Sequence, residues 1–224
     1  MQVVVPFAAT EPKTRLADVL TPDERSTFAR AMLADVLAAI VESGHEPTVV
    51  ATAPLEPAAL DLADDVSASV SVAVDDRPLT EAVDAVLPDE AGEAVAVVMA
   101  DLALATPDAL AALFASDADV AVAPGRGGGT NALVVRHPAF RVDYHGASYL
   151  DHCEIARDAG LTLETVDSFR LGTDVDEAAD LVEVLVHGTE DACSPTRLSE
   201  FGFELERSDG RVDAVRREAS AREQ

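Results

Sequence analysis

The chain has 224 residues, of which 42 are Asp or Glu and 16 are Lys or Arg, giving a formal net charge of −26. That length favours one domain with a sizeable core, and the 48% hydrophobic share with only 4% aromatics makes it a core of small and branched side chains. The charge excludes a nucleic-acid partner, which needs Lys and Arg against phosphates, and opposes adsorption to anionic membranes.

The acids are spread along the chain, and Lys13 is the sole lysine beside fifteen arginines. Both features fit concentrated cytoplasmic salt, where the Debye length falls to about 3 Å at 1 M and self-repulsion is screened. A basic partner for an acidic surface is the alternative. Cys153 and Cys193 form no C-x-x-C pair, so no zinc or redox motif is present. The apolar residues 2–7 are too short for a signal peptide and lack a basic flank. No run approaches the roughly 18 apolar residues of a membrane span. A cytoplasmic protein with reduced thiols is expected.

In chain order, Val3–Phe7 reads as a strand. Thr21-Pro22-Asp23-Glu24 starts a helix: a hydroxyl cap, Pro in the first turn, then acids at the positive dipole end. Phe28, Met32, Leu33, Val36, Leu37 and Ile40 follow helical spacing, and Gly44 ends it. Thr48–Thr52 and Val70–Val74 read as strands, with a helix over Leu79–Leu87. The continuous apolar run Ala94–Ala100 fits a central parallel strand covered on both faces. Thr106-Pro107-Asp108 starts another helix. Val120–Ala123 and Ala132–Arg136 are strands around a glycine-rich loop. Ser148–Ala159 is helical, Leu161–Val166 a strand, and Asp176–Val186 helical. From Arg207 the chain is charged without a clear apolar face, and a surface helix or frayed tail is expected. The alternation predicts an α/β fold, a single-domain mostly parallel sheet flanked by helices, over residues 1–206 with a tail over 207–224.

Ligands of open α/β sheets bind beyond the carboxyl ends of the strands. After the first strand, Lys13 and Arg15 offer two cations suited to a triphosphate, without the spacing of a P-loop. Asp101 ends the buried run and is costly there unless paired or metal-bound; a turn-capping role is the alternative. Gly125, Gly127, Gly128 and Gly129 permit close backbone approach to a ligand, with Thr130 and Asn131 at the loop exit; a flexible hairpin is the alternative. Ser148 stands near a helix start, where hydroxyl and free N–H groups could hold a phosphate or simply cap the helix. His152 lies one turn in, with a structural or rim role. Asp174 and Asp176 point the same way if extended. At about 4 Å they would repel by about 4 kcal/mol at an effective dielectric of 20, which a divalent cation removes, or else Asp176 caps the following helix. If Asp101 meets this pair, three hard carboxylates converge and suit Mg²⁺.

Together these segments resemble the 2-phospho-L-lactate guanylyltransferases of coenzyme F-420 biosynthesis. The likeness runs through Val5-Pro6-Phe7 with Lys13-Thr14-Arg15-Leu16, Leu20-Thr21-Pro22-Asp23-Glu24-Arg25 and Met32-Leu33-Ala34-Asp35-Val36-Leu37. It continues through Met99-Ala100-Asp101-Leu102, Gly129-Thr130-Asn131-Ala132-Leu133, and Asp174-Val175-Asp176 before a helix ending at His187-Gly188. The resemblance implies a glycosyltransferase-A-like nucleotidyltransferase fold. It implies GMP transfer from GTP to 2-phospho-L-lactate, or to phosphoenolpyruvate in related members, with release of pyrophosphate. It also implies Mg²⁺ held by Asp101, Asp174 and Asp176, and an acceptor held by Thr130, Ser148 and the Gly146 backbone. Lys13 and Arg15 would serve the phosphates, with Gly127 and Gly128 beside the nucleotide. A homodimer is expected from the family and from the commonness of two-fold assemblies. The rival readings are a nucleotidyltransferase for a sugar phosphate, phosphoglycerate or a molybdopterin, and a non-catalytic GTP-binding domain.

Overall fold

The computed structural model describes residues 1–90, 93–208 and 210–217. Strands β1 (Gln2–Phe7), β2 (Pro47–Ala51), β3 (Ser71–Val74), β4 (Val95–Val98), β5 (Val120–Pro124), β6 (Thr130–Val135) and β7 (Leu163–Thr165) form one seven-stranded sheet in the order β3-β2-β1-β4-β6-β5-β7. β6 runs antiparallel to both its neighbours, and every other pairing in this sheet is parallel. The reversal follows from the glycine-rich loop, which closes β5 onto β6 as a hairpin with a register shift at Ala123/Pro124.

Strand side chains alternate between two core layers, as a sheet covered on both faces requires. Val3, Val5, Ala96, Val98, Ala132 and Val134 face one layer, and Val4, Val95, Val97, Leu133 and Val135 face the other with Phe140. Helix α1 (Pro22–Glu42) covers the first layer, with all six residues of its expected apolar stripe fully buried. Its start is a complete capping box: Thr21 Oγ1 accepts from the Glu24 N–H, and Glu24 Oε2 accepts from the Thr21 N–H. Gly44 follows at φ +85°. The remaining helices are α2 (Asp64–Ser69), α3 (Leu79–Asp84), α4 (Pro107–Phe114), α5 (Ser148–Asp158), α6 (Phe169–Gly172), α7 (Leu181–His187) and α8 (Cys193–Glu200). No helix among the described residues is long and apolar enough to cross a membrane.

Three expectations need correction. The helix expected over Leu79–Leu87 stops at Asp84, where the chain tightens into turns and Asp84 Oδ1 accepts the Val142 N–H. The helix expected from Asp176 begins later, as a 3-10 turn over Ala178–Asp180 followed by α7, because Asp180 rather than Asp176 receives the entry N–H groups of Asp176 and Glu177. The segment from Arg207 is neither helical nor frayed as far as it is described. It pairs β8 (Phe203–Ser208) with β9 (Arg211–Arg216) as an antiparallel hairpin. Phe203 is buried in the main core, and Arg216 reaches back to Glu24 and the Val19 carbonyl, so a cut after residue 206 falls inside a packed strand. The last part of the expected tail, 218–224, lies outside the described residues.

Candidate active site

The carboxyl ends of β1 to β4 open into a cleft of about 470 Å³, within the size range of small-molecule sites. Lys13 enters it from the loop after β1. Glu11 and Lys13 have φ of +46° and +54°, a left-handed backbone that is unfavourable for side chains other than glycine. The conformation is held from both ends. Leu16, fully buried, anchors the 3-10 turn Thr14–Leu16 and donates its N–H to the Lys13 carbonyl. At the other end the Lys13 ammonium lies 2.7 Å from Asp101 Oδ2 and 2.7 Å from Asp176 Oδ1. Arg15 reaches Asp176 Oδ2 at 3.0 Å.

Asp101 stands just past β4, and its carbonyl accepts the Val175 N–H, which ties the Asp174–Asp176 segment to the end of that strand. Burial works against the charge of Lys13, but the two aspartates more than offset it and hold the ammonium above the ordinary lysine range. Lys13 is therefore a fixed cation rather than a nucleophile. Asp101 Oδ1 is buried without a hydrogen-bond partner among the described residues. Asp174 is steered separately: Asn131 Nδ2 donates to its Oδ1 at 3.0 Å and to the Leu171 carbonyl at 2.9 Å. Gly125 makes room for this arrangement, since a Cβ there would lie 2.5 Å from Asn131 Oδ1.

The structure thus brings Lys13, Arg15, Asp101 and Asp176 into direct contact, with Asp174 beside them on Asn131. Among the described residues no group of three acids, histidines or cysteines is arranged to hold a metal ion; the Lys13 ammonium sits between two of the three acids expected to converge. Gly127, Gly128, Thr130, Gly146 and Ser148 lie outside the cleft lining. Thr130 and Ser148 do meet, but inward: the Thr130 N–H donates to Ser148 Oγ at 2.9 Å, and both residues are buried. Gly128 caps the assembly by accepting the Tyr149 N–H, and Gly146 takes φ +64° in the loop before α5.

His152 is the pivot of this second cluster. Its Nε2 accepts the Asp143 N–H at 3.0 Å, so that nitrogen carries no proton, and Nδ1–H faces Thr130 Oγ1 at 2.8 Å. Burial pushes its pKa down to about 4, which keeps the ring neutral. The histidine is structural and fully buried, not at a rim.

Three cleft or support residues escaped the sequence reading. In the sequence Asn131 reads only as a polar group at a loop exit, and nothing in the motifs marks Asp75 and Arg77, which follow β3 and line the cleft. The signal for Asp75 lies in its position: it directly follows the expected strand Val70–Val74, as Asp101 directly follows the apolar run Ala94–Ala100.

The sequence matches the family described as "Guanylyl transferase CofC like" over residues 1–220. It is 73% identical to the 2-phospho-L-lactate guanylyltransferase of Haloterrigena turkmenica, covering 98% of this chain and 99% of that protein. The protein of the same name from Haloferax volcanii is 57% identical, over 96% and 98% of the two chains. That from Methanosphaerula palustris is 44% identical, over 95% and 96%. Among solved structures, a candidate nucleotide-diphospho-sugar transferase from Desulfovibrio desulfuricans superposes with a TM-score of 0.67 at 19% identity, over 89% of this chain and 95% of its own. A nucleotidyl transferase from Methanothermobacter superposes with a TM-score of 0.53 at 16% identity, over 83% and 97%. These two likenesses establish the nucleotidyltransferase type of fold.

Proposed function

The chain belongs to the guanylyl transferase CofC like family, and from that premise we propose that it transfers GMP from GTP to 2-phospho-L-lactate. The products are lactyl-2-diphospho-5′-guanosine and pyrophosphate, a step of coenzyme F-420 biosynthesis. The observation that carries the reading is the Lys13 ammonium clamped between Asp101 and Asp176 in a cleft at the strand ends.

The reaction needs no protein nucleophile, because the acceptor phosphate is already an anion. Its oxygen attacks the α-phosphorus of GTP, a new P–O bond forms, and the bond to pyrophosphate breaks. Two anions must be held in line against their repulsion, so the protein's task is positioning and charge stabilisation. Lys13 and Arg15 neutralise the α-phosphate and the departing pyrophosphate. Thr130 and Ser148, bonded to each other and braced by neutral His152, support the loop that carries Gly127 and Gly128 from outside the cleft rather than facing the substrates.

By the chemistry of their oxygens, Asp101, Asp174 and Asp176 would hold Mg²⁺ once the Lys13 ammonium gives up its place between Asp101 and Asp176. Asp101 and Asp176 supply hard carboxylate oxygens, Asp101 Oδ1 is buried and unpartnered among the described residues, and Asp174 stands adjacent. Bound there, the ion would polarise the phosphoryl oxygens and screen developing charge. Lys13 would then exchange its carboxylate partners for phosphate oxygens. The charge of −26 supports a concentrated-salt cytoplasm as the working environment, and a two-fold dimer is the assembly we infer.

The test is pyrophosphate release in concentrated KCl with Mg²⁺ and GTP, run in parallel with 2-phospho-L-lactate, phosphoenolpyruvate, phosphoglycerate or no acceptor. Release that depends on 2-phospho-L-lactate is expected. Release that depends on another acceptor alone would overturn the substrate, and GTP binding without release would overturn the activity.

A further inference from the structure

The cleft has a second polar end. Along the sheet order β3-β2-β1-β4, Asp101, three residues past β4, holds Lys13, and the residue past β3 is Asp75. Three strand spacings separate these ends, about 14 Å, comparable to the reach of an extended nucleoside with its first phosphates. The wall between them is largely apolar, including Val4, Pro6, Val50, Leu79 and Val83, as a flat base and ribose require.

Asp75 and Arg77 close the far end as a fixed pair. Asp75 continues the β3 ladder by donating its N–H to the Ala51 carbonyl at 2.9 Å. Its Oδ1 accepts the Arg77 N–H at 3.1 Å and Nε–H at 2.9 Å, and Arg77 Nη2 lies 2.5 Å from Oδ2. The Asp75 side chain is 19% exposed and Arg77 48%, so the carboxylate is inset and the guanidinium has room to turn. The pair offers two acceptor oxygens beside a donor fork. Guanine presents the complement on one edge: N1–H and the 2-amino group donate, and O6 accepts. Adenine presents an amino donor beside a bare N1 acceptor, which would face the carboxylate unpaired.

We propose that Asp75 and Arg77 select the guanine base, Asp75 receiving N1–H and the 2-amino group and Arg77 donating to O6. This rests on the reading that the cleft takes a nucleoside triphosphate with its phosphates at Lys13. In the free protein Arg77 keeps Asp75 satisfied, and on binding it shares the carboxylate with the base or swings to O6.

The experiment measures equilibrium binding of GTP, ITP, XTP and ATP to the full chain in concentrated KCl with Mg²⁺, for wild type, Asp75→Asn and Arg77→Met. Inosine lacks the 2-amino group, and xanthine replaces it with a carbonyl acceptor. Wild type should prefer GTP to ITP by about tenfold or more and reject ATP further, since a site built to pair a polar group discriminates strongly against its absence. Asp75→Asn turns one acceptor into a donor, so its GTP-to-ITP ratio should fall to about one and XTP binding should rise. That gain cannot come from misfolding. Arg77→Met should weaken GTP and ITP together, since both carry O6. An unchanged GTP-to-ITP ratio and no gain of XTP in Asp75→Asn would overturn the assignment, as would equal binding of ATP and GTP by wild type. Pyrophosphate release, read separately, distinguishes the two claims: base preference without release refutes the activity, and release with no effect of Asp75→Asn refutes the base reader.

Discussion

Replacing Lys13 by Met keeps the length of the side chain and removes the one positive charge between Asp101 and Asp176. Each carboxylate oxygen lies 2.7 Å from the ammonium, which leaves the two oxygens about 5 Å apart once it is gone. At an effective dielectric of 20 they would repel by about 3 kcal/mol. Asp176 is 37% exposed, so solvent and salt reduce this to about 1 kcal/mol. For a chain of this size that is about 2–4 °C of melting temperature. The variant has two ways to relieve the repulsion: a proton on Asp101, whose carboxyl burial already pushes up, or a divalent cation. Calorimetric melting in concentrated KCl should therefore show Lys13→Met lowered without Mg²⁺ and recovering more on its addition than wild type does. Pyrophosphate release should meanwhile fall by about a hundredfold or more. Identical melting of the two proteins with identical responses to Mg²⁺ would refute the idea that Lys13 stands where a cation belongs.

Other outcomes follow from the same geometry. Asp35, on α1, accepts the N–H groups of Cys193 and Ser194 and the Ser194 hydroxyl; Asp35→Ala should cost about 2–4 kcal/mol in chemical denaturation by leaving buried donors unpaired and loosening α8. His152, at about 4 in the fold against 6.5 unfolded, contributes stability that is complete above about pH 6.5 and is lost as pH falls toward 4, by up to about 3 kcal/mol. The difference in pH–stability slope between wild type and His152→Gln over that window measures it, and a difference of zero contradicts the neutral assignment. Gly125→Ala should displace Asn131 and release Asp174, lowering turnover about tenfold while the melting temperature moves little.

The parts of the fold legible in the sequence were those where local chemistry and tertiary packing agree. The α1 stripe and its Thr21 cap are of this kind: period, capping box and glycine stop all give one answer. The Arg207 segment shows the opposite. Its apolar residues Phe203 and Leu205, then Val212 and Ala214, recur at period two around the Asp209-Gly210 pair, a hairpin signal that charge composition masked. In the site, Lys13 stands out as the sole lysine of the chain, and Asp101 because a carboxylate past a buried strand is costly without a partner. That they partner each other is a matter of β1 lying beside β4 in the sheet, which no local pattern encodes. Asn131 was illegible as the guide of Asp174 for the same reason, since the contact spans 43 positions.

The carboxylate–lysine cluster is the proposed place of guanylyl transfer. The most direct measurement compares pyrophosphate release from GTP and 2-phospho-L-lactate by wild type and Asp101→Asn, with the melting temperatures of both recorded alongside. Acceptor-dependent release by wild type is expected, reduced about a hundredfold or more in Asp101→Asn with melting within a few degrees. Near-normal release by Asp101→Asn would contradict that placement.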